Sequence, residues 1–324
     1  MTGLPPGRSI AYPGLVPTPR PADADAEPGI EARSLTRTLN LIGDAWTVLL
    51  LKEFFSGQHR FQDLQARLGI PRQTLMLRLT QLVEAEILYR RPVIRRGVQQ
   101  EYHLTPKGLD LYPFVLAVWD WHRRWDGEVP FLPYRLVHRS CGQALTPRFV
   151  CQACGDEVRR DAVVMRPGPG AGTDPRPAPR LSREKQATGA AGTGLVAASL
   201  LGDRWGYLVA AEMFRGTTSF HALTQRLRIS PSTLSSRLAK LRALGLIEPV
   251  AGGGRRIDYR FTDRGEGLWP ILATLSGWGD RWLAGMAGVP EVAVHRCGAV
   301  LSARYVCAAC GGVVPPWDVA PAPR

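Results

Sequence analysis

With 324 residues the chain is long enough for two domains of ordinary size. Its composition, 45% hydrophobic and 21% charged, is that of a globular protein. No stretch reaches the ~18–20 uninterrupted apolar residues of a membrane span, and the opening MTGLPPGRS has no apolar secretory core, which excludes a membrane protein. Lys and Arg number 41 against 28 Asp and Glu, and the formal charge of +13 favours a polyanionic partner.

Residues 1–30 are Pro-rich and expected to form a disordered tail. Over 34–42 the apolar Leu35, Leu39 and Ile42 fall at helical spacing. Asp44 can cap a second helix that runs through Trp46, Leu49, Leu50 and Glu53 to Phe55 and stops at Gly57. Phe61, Leu64 and Leu68 predict a short third helix, and Gly69-Ile70-Pro71 a turn. A fourth helix turns Leu75, Leu79 and Leu82 inward and leaves Arg72, Gln73, Thr74, Met76 and Arg78 mostly outward. Helix, short turn, helix is the helix-turn-helix pattern. Strands over 87–93 and 99–104 then flank Ile94-Arg95-Arg96-Gly97, a hairpin with a basic tip that reads as a wing. Thr105-Pro106 opens a long helix through Leu109, Phe114, Trp121 and Trp125. Its aromatic stripe reads as core or inter-unit contact in preference to a ligand cage.

All six cysteines lie in two short segments, the first being Cys141-Gly142, eight residues, then Cys151-x2-Cys154-Gly155, with His138 just ahead. Without an export signal this does not read as a disulfide scaffold. In a C-x2-C-G knuckle two thiolates converge on one ion, and the glycine permits the tight bend. His138 with Cys141 is the same knuckle with imidazole in place of the first thiolate. His138, Cys141, Cys151 and Cys154 would make a closed tetrahedral set that selects Zn2+ and leaves no position open for catalysis. Reduced buried thiols, or a disulfide within the C-x2-C pair, form the competing reading. Residues 166–194, rich in Pro, Gly and Ala, read as a flexible linker.

The chain then repeats itself. Residues 41–82 match 200–241 without a gap, with Gly43/Gly202, Asp44/Asp203, Trp46/Trp205, Glu53/Glu212, Phe61/Phe220, Thr74/Thr233 and Arg78/Arg237 among the pairs. Further on, Thr105 pairs with Thr262, Gly108 with Gly265, Trp121 with Trp278 and His138 with His295. The second unit carries Arg255 and Arg256 at its wing tip and a second trio, Cys297, Cys307 and Cys310, behind His295. His295-Arg296-Cys297 is one residue shorter than its counterpart, which weakens His295 as a ligand more than the cysteines. The closing APAPR reads as a frayed tail. The expected fold is mainly α with small β-wings: two tandem winged helix-turn-helix domains, each with a C-terminal zinc-ribbon-like knuckle pair. The expected divisions are a tail (1–30), a first winged domain (31–130) with its zinc-ribbon-like segment (131–165), the linker (166–194), a second winged domain (195–287) and its segment (288–318). Two structural Zn2+ ions are expected.

Leu39-x-Leu41-Ile42-Gly43-Asp44-x-Trp46, Arg60-Phe61-x-x-Leu64, Thr74-Leu75-x-x-Arg78-Leu79 and Tyr102-x-Leu104-Thr105-x-x-Gly108 resemble the HxlR-type winged helix-turn-helix transcription regulators. Leu201-Gly202-Asp203-Arg204-Trp205, Ser219-Phe220-x-x-Leu223, Thr233-Leu234-x-x-Arg237-Leu238 and Tyr259-x-Phe261-Thr262 repeat the signature. The resemblance covers roughly 34–125 and 193–282, and neither the cysteine segments nor the linker. It implies a DNA-binding fold that in most members pairs as a homodimer through its first and last helices. Many members carry a sensing cysteine before the first helix; here that place falls near Arg33 and Gly192, so a thiol switch of that type is not carried over.

An α-helix fits the major groove, where side chains distinguish every base pair. Arg72, Gln73, Thr74 and Met76 of the first unit, and Ser232, Thr233 and Ser235 of the second, would enter it. Arg78 and Arg237 could reach base or phosphate, or form surface salt bridges instead. Arg95, Arg96, Arg255 and Arg256 would grip phosphate or the minor groove, the alternative being plain solvated turns. The heads differ, IPRQTLMLRL against ISPSTLSSRL, so units paired within one chain would read an asymmetric site on double-stranded DNA. No phosphate loop or nucleophile–base signature suggests an enzyme. The competing functions are a protein-interaction scaffold of the transcription apparatus and a zinc- or redox-responsive sensor. The expected location is cytoplasmic, with the nucleoid.

Overall fold

A computed structural model describes residues 30–94, 98–126, 131–132, 134–174, 203–252 and 257–322. The first unit opens with the short β1 (Ile30–Glu31) and α1 (Ser34–Ile42), whose Leu35, Leu39 and Ile42 are buried at the predicted spacing. Asp44 caps α2 (Ala45–Phe55) by accepting from the Thr47 amide at 3.1 Å. That helix is buried on almost every side, with Leu49, Leu50 and Leu51 no more than 1% exposed, so it forms the centre of the unit. Helices α3 (Phe61–Leu68) and α4 (Arg72–Glu84) each present one leucine stripe to it: Leu64 and Leu68, then Leu75, Leu79 and Leu82. The wing is the antiparallel pair β2 (Leu88–Ile94) and β3 (Val98–Leu104), in register Leu88 to Leu104. The long helix expected from Thr105 is broken in two: Thr105 caps the single turn α5 (Pro106–Leu109), accepting from the Gly108 amide at 3.1 Å, and α6 (Tyr112–Trp125) starts afresh after Leu111 with Pro113 in its first turn, where a proline is tolerated.

The second unit repeats this order. Helix α7 (Arg204–Phe214) is capped by Asp203, α8 (Phe220–Leu227) by Ser219, and α9 (Pro231–Ala243) by Ser230 with Pro231 at its first position. Strands β8 (Ile247–Ala251) and β9 (Ile257–Phe261) form the second wing; α10 (Asp263–Glu266) and α11 (Trp269–Trp282) close the unit. The counterpart of α1 lies outside the described residues, as do the wing-tip arginines Arg95, Arg96, Arg255 and Arg256.

The two units pack through their terminal helices, α1 and α6 of the first against α11 of the second. The contacts are reciprocal where the repeat allows. The Trp121 indole donates to the Arg264 carbonyl at 3.0 Å, and its counterpart Trp278 donates to the Lys107 carbonyl at 2.9 Å. Trp121 and Trp278 are almost fully buried, as expected of stripes that serve core and inter-unit contact, whereas Leu109, Trp125 and Trp282 of the same stripes are exposed. Thr38 donates its hydroxyl to the Leu275 carbonyl at 3.1 Å, where α1 crosses α11. The crossing is close because α11 has Gly279 there: a Cβ would stand inside contact distance of Thr38 Oγ1 and the Ser34 carbonyl oxygen.

The cysteine-bearing segments fold into six short strands, and every pair joins one half of the chain to the other. Antiparallel ladders link β4 (Arg135–His138) to β12 (Val319–Ala322), β5 (Pro147–Cys151) to β11 (Ala303–Cys307) and β6 (Val163–Pro167) to β10 (Glu291–His295). The segments are therefore not two separate appendages but one interlaced body. Two expectations change with it. Residues 166–174, read as the start of a flexible linker, are held in place: Pro167 pairs with Glu291, the Gly168 and Gly170 amides donate to the Pro290 and Val289 carbonyls, and β7 (Thr173–Asp174) pairs with β1. Ala320–Ala322, read as fraying, are the middle and end of β12. Pro and Ala carry little apolar signal of their own, and the partner strand, distant in sequence, supplies the order. The rest of the expected linker lies outside the described residues.

Candidate nucleic-acid interface and cysteine–histidine clusters

The α3–turn–α4 and α8–turn–α9 pairs present the predicted heads. Arg72, Gln73 and Met76 are exposed and Thr74 is half-buried; Ser232 and Ser235 are exposed and Thr233 is half-buried, its hydroxyl 2.7 Å from that of Ser230. The Arg72 guanidinium lies over the Phe61 ring, 5.1 Å from its centroid, which steers it along the start of α4. Leu77, which the reading of the sequence passed over, stands 52% exposed beside Met76 at 55%, an apolar pair on the outer face of the helix. Its counterpart Ser236 is also exposed, so the heads differ in polarity over four outward positions.

Arg78 and Arg237 each form an ion pair with an aspartate. Arg78 is 8% exposed, with its Nε 3.2 Å from Asp44, the residue that caps α2. Arg237 Nε lies 2.9 Å from Asp203, the cap of α7, which Lys240 also approaches at 3.8 Å. These pairs tie α4 and α9 each to the N-terminus of the central helix behind it. Asp at this cap thus does two things: it satisfies an orphan amide and anchors an arginine on the neighbouring helix. An outward arginine in a helical pattern carries no sign of that partner, because the aspartate lies about 34 residues away.

At the wing root, Glu101 receives Arg60 at 3.1 Å, Arg91 at 3.0 Å and His103 at 3.2 Å. Hydrogen bonds from Arg91 and Arg60 hold its carboxyl down to about 2, so it stays charged and keeps β3 attached to the start of α3.

The cysteines and histidines gather into two clusters, each drawn from both halves. One holds His138, Cys141, Cys307 and Cys310; the other holds Cys151, Cys154, His295 and Cys297. Within each, the candidate ligand atoms all lie within 4.8 Å of one another. A tetrahedron of thiolates ~2.3 Å from an ion has edges of about 3.8 Å, so both clusters fit one ion. This corrects the expected sets, in which each histidine and trio would close on itself. The reason is the ladder register: β5 and β11 pair Cys151 with Ala303 and Pro147 with Cys307, which puts the two C-x2-C knuckles at opposite ends of the same sheet. Each then meets the His–Cys knuckle of the other half. The knuckles themselves are as expected, with Gly142, Gly155, Gly298 and Gly311 at φ of 69°, 78°, 87° and 73°, a region L-residues rarely adopt.

His138 is fully buried and directs Nδ1 at the sulfurs, 3.4 Å from Cys141 and 3.3 Å from Cys310. Its other nitrogen lies 3.0 Å from Asp318, an orientation that favours a ligating imidazole. His295 Nδ1 sits 3.3 Å from Cys297 and 3.5 Å from Cys154, so the shorter spacing does not keep it out of its cluster. Burial acts to raise the Cys151 thiol, but the amides of Cys154 and Ala153 and the neighbouring thiols of Cys154 and Cys297 outweigh it and pull the thiol below its ordinary value. Cys307 is lowered in the same way, against burial, by the amides of Ala309 and Cys310 and the thiols of Cys141 and Cys310. Cys141 and Cys154 move the other way: the amides of Gln143 and Asp156 act to lower them, but burial and the neighbouring thiols outweigh this. The fit to a soft divalent ion therefore lies in the donor set, three sulfurs and one imidazole.

The sequence profile of the HxlR-like helix-turn-helix family matches residues 41–129 and 200–286, the two units just described. The chain belongs to this family, twice over. Rv3095 of Mycobacterium tuberculosis, an uncharacterised HTH-type transcriptional regulator, is 38% identical over 149 residues, 46% of this chain and 94% of that protein. YvaP of Bacillus subtilis, described in the same words, is 31% identical over 90 residues, 27% of this chain and 83% of its own length. The solved structure of PA1607, a transcription-factor candidate, is 35% identical, covers 38% of this chain and 85% of that chain, and has a TM-score of 0.32. The 149-residue match to the mycobacterial regulator is longer than either family region. No helix among the described residues is long and apolar enough to cross a membrane.

Proposed function

We propose that this HxlR-like chain is a sequence-specific transcriptional regulator that binds double-stranded DNA as an intrachain pseudo-dimer, in the cytoplasm with the nucleoid. The observation that carries this reading is the pair of exposed, non-identical reading helices on two units packed through reciprocal tryptophan contacts. Helix α4 offers Arg72, Gln73, Thr74 and Met76 for base edges: arginine suits guanine, glutamine suits adenine, and methionine touches a thymine methyl. Helix α9 offers Ser232, Thr233 and Ser235, short hydroxyls that favour backbone and shape over base readout. Arg78 and Arg237, paired with Asp44 and Asp203, position the heads and do not serve as principal base contacts. The wing-tip arginines Arg95, Arg96, Arg255 and Arg256 add phosphate contacts with little sequence preference. Two Zn2+ ions occupy the Cys3His clusters as structural metals, since four protein ligands close the coordination shell.

Selection of bound fragments from the native genome at stated salt, followed by footprinting, tests the proposal. The expected site is asymmetric, with one strongly specified half and one permissive half about one helical turn apart, bound by one chain. A perfect palindrome occupied by two whole chains would overturn it, as would binding without sequence preference.

A further inference from the structure

We infer that each zinc ion clasps the two halves of the chain together, so that metal occupancy holds the reading heads in register; this rests on the DNA-binding reading above only for its functional consequence. Neither cluster can be completed by one half. The first takes His138 and Cys141 from the first unit and Cys307 and Cys310 from the second; the other takes Cys151 and Cys154 from the first and His295 and Cys297 from the second. Cys141 Sγ lies 4.0 Å from Cys307 Sγ across 166 residues of sequence, and Cys154 Sγ lies 3.5 Å from His295 across 141. An ion that closes loops of this length restrains the unfolded chain far more than one closing a ten-residue knuckle.

The surroundings are built for the same exchange. Asp318 of the second half orients His138 and accepts from the Ser140 amide at 3.1 Å. In the other cluster Arg296 of the second half pairs with Asp156 of the first at 3.0 Å. Between the clusters the Phe149 and Tyr305 rings meet at 5.1 Å. The interlaced ribbons also touch the helices that set the heads. Arg215, at the end of α7, pairs with Glu291 of β10, and Arg160 of the first half reaches the Phe214 carbonyl of α7. Loss of metal would loosen the knuckles, then the ladders they terminate, and so the bracing between the first half and the second reading unit.

Two double variants of the full chain separate the crossed arrangement from a local one by zinc content alone. Cys141→Ser with Cys307→Ser removes two ligands from one cluster and none from the other, so one zinc per chain is expected to remain. Cys141→Ser with Cys151→Ser strikes both clusters, and zinc is expected to fall towards none. Local sets predict the reverse order, and that reversal would overturn the proposal. The unsubstituted chain supplies a second measurement that does not depend on a variant folding: after chelation and mild oxidation, peptide mapping is expected to find Cys141 joined to Cys307 or Cys310. Linkage of Cys141 to Cys151 or Cys154 would overturn it. For the consequence, the zinc-free chain should bind a genomically selected fragment at least tenfold more weakly and recover on adding Zn2+. Unchanged affinity would refute the coupling. If the zinc-loaded chain binds no DNA at all, the proposed function fails while the zinc counts still decide the clasp.

Discussion

At the scale of single residues, the candidate sites of this protein are set by side chains whose partners lie far along the chain. Arg78 would be a surface cation if Asp44 did not stand behind it, and Asp318 gives His138 its orientation from 180 residues away. His122 shows the opposite condition. It is 1% exposed on α6, stacks on Phe131 at 5.7 Å, and burial pushes its imidazole down to about 4, with Asp126 opposing and Arg264 adding to the shift. The sign follows directly: above pH 6.5 both folded and unfolded chains carry a neutral ring, while below it the unfolded chain takes up the proton first. Stability should therefore fall on acidification from 6.5 towards 4, at a limiting slope of about 1.4 kcal/mol per pH unit for this group. Chemical denaturation of the zinc-saturated protein at pH 7 and pH 5 should give a smaller loss in His122→Gln than in the unsubstituted chain. Equal losses would remove His122 from the account.

At the scale of elements, much was legible from local pattern. The caps Asp44 and Thr105, the leucine stripes of α3 and α4 and the wing strands depend on neighbours within a few residues, and they stand where the spacing predicts. The crossing of α1 over α11 was not legible. Gly279 corresponds to His122 in the first unit, so the repeat itself hides the requirement for a glycine at one copy of the position. Gly279→Ala should force α1 away from α11 and cost roughly 1–3 kcal/mol, as overpacking of a tight contact does. Thermal unfolding measures this cost. The equivalent change at Gly277, where a Cβ meets nothing, should lower stability far less or raise it. If the two substitutions behave alike, the close approach is not holding α1 in place.

At the scale of the whole molecule, duplication allows the two heads to diverge while the frame stays matched. Pro231, Ser232, Ser235 and Ser236 stand where the first unit has Arg72, Gln73, Met76 and Leu77. Transplanting those four residues of α4 onto α9 should convert the selected DNA site from asymmetric to palindromic. Each well-placed arginine–guanine pair would add about 1–3 kcal/mol of discrimination. Repeated selection with the substituted chain reads the outcome directly, and an unchanged site would mean that α9 does not face the bases.

What the amino-acid order determined alone was everything whose cause is near in sequence: the duplication, the helix-turn-helix spacing, the knuckle turns with their left-handed glycines, and the difference between the heads. It could not determine which knuckle meets which. The two knuckles of each kind are chemically interchangeable, because either His–Cys knuckle with either C-x2-C knuckle completes the same set of three thiolates and one imidazole. Only the tertiary structure breaks that tie. Helix packing brings the halves together, strand β5 takes β11 as its partner, and the antiparallel register carries each C-x2-C pair to the end of the ladder where the other half's histidine waits.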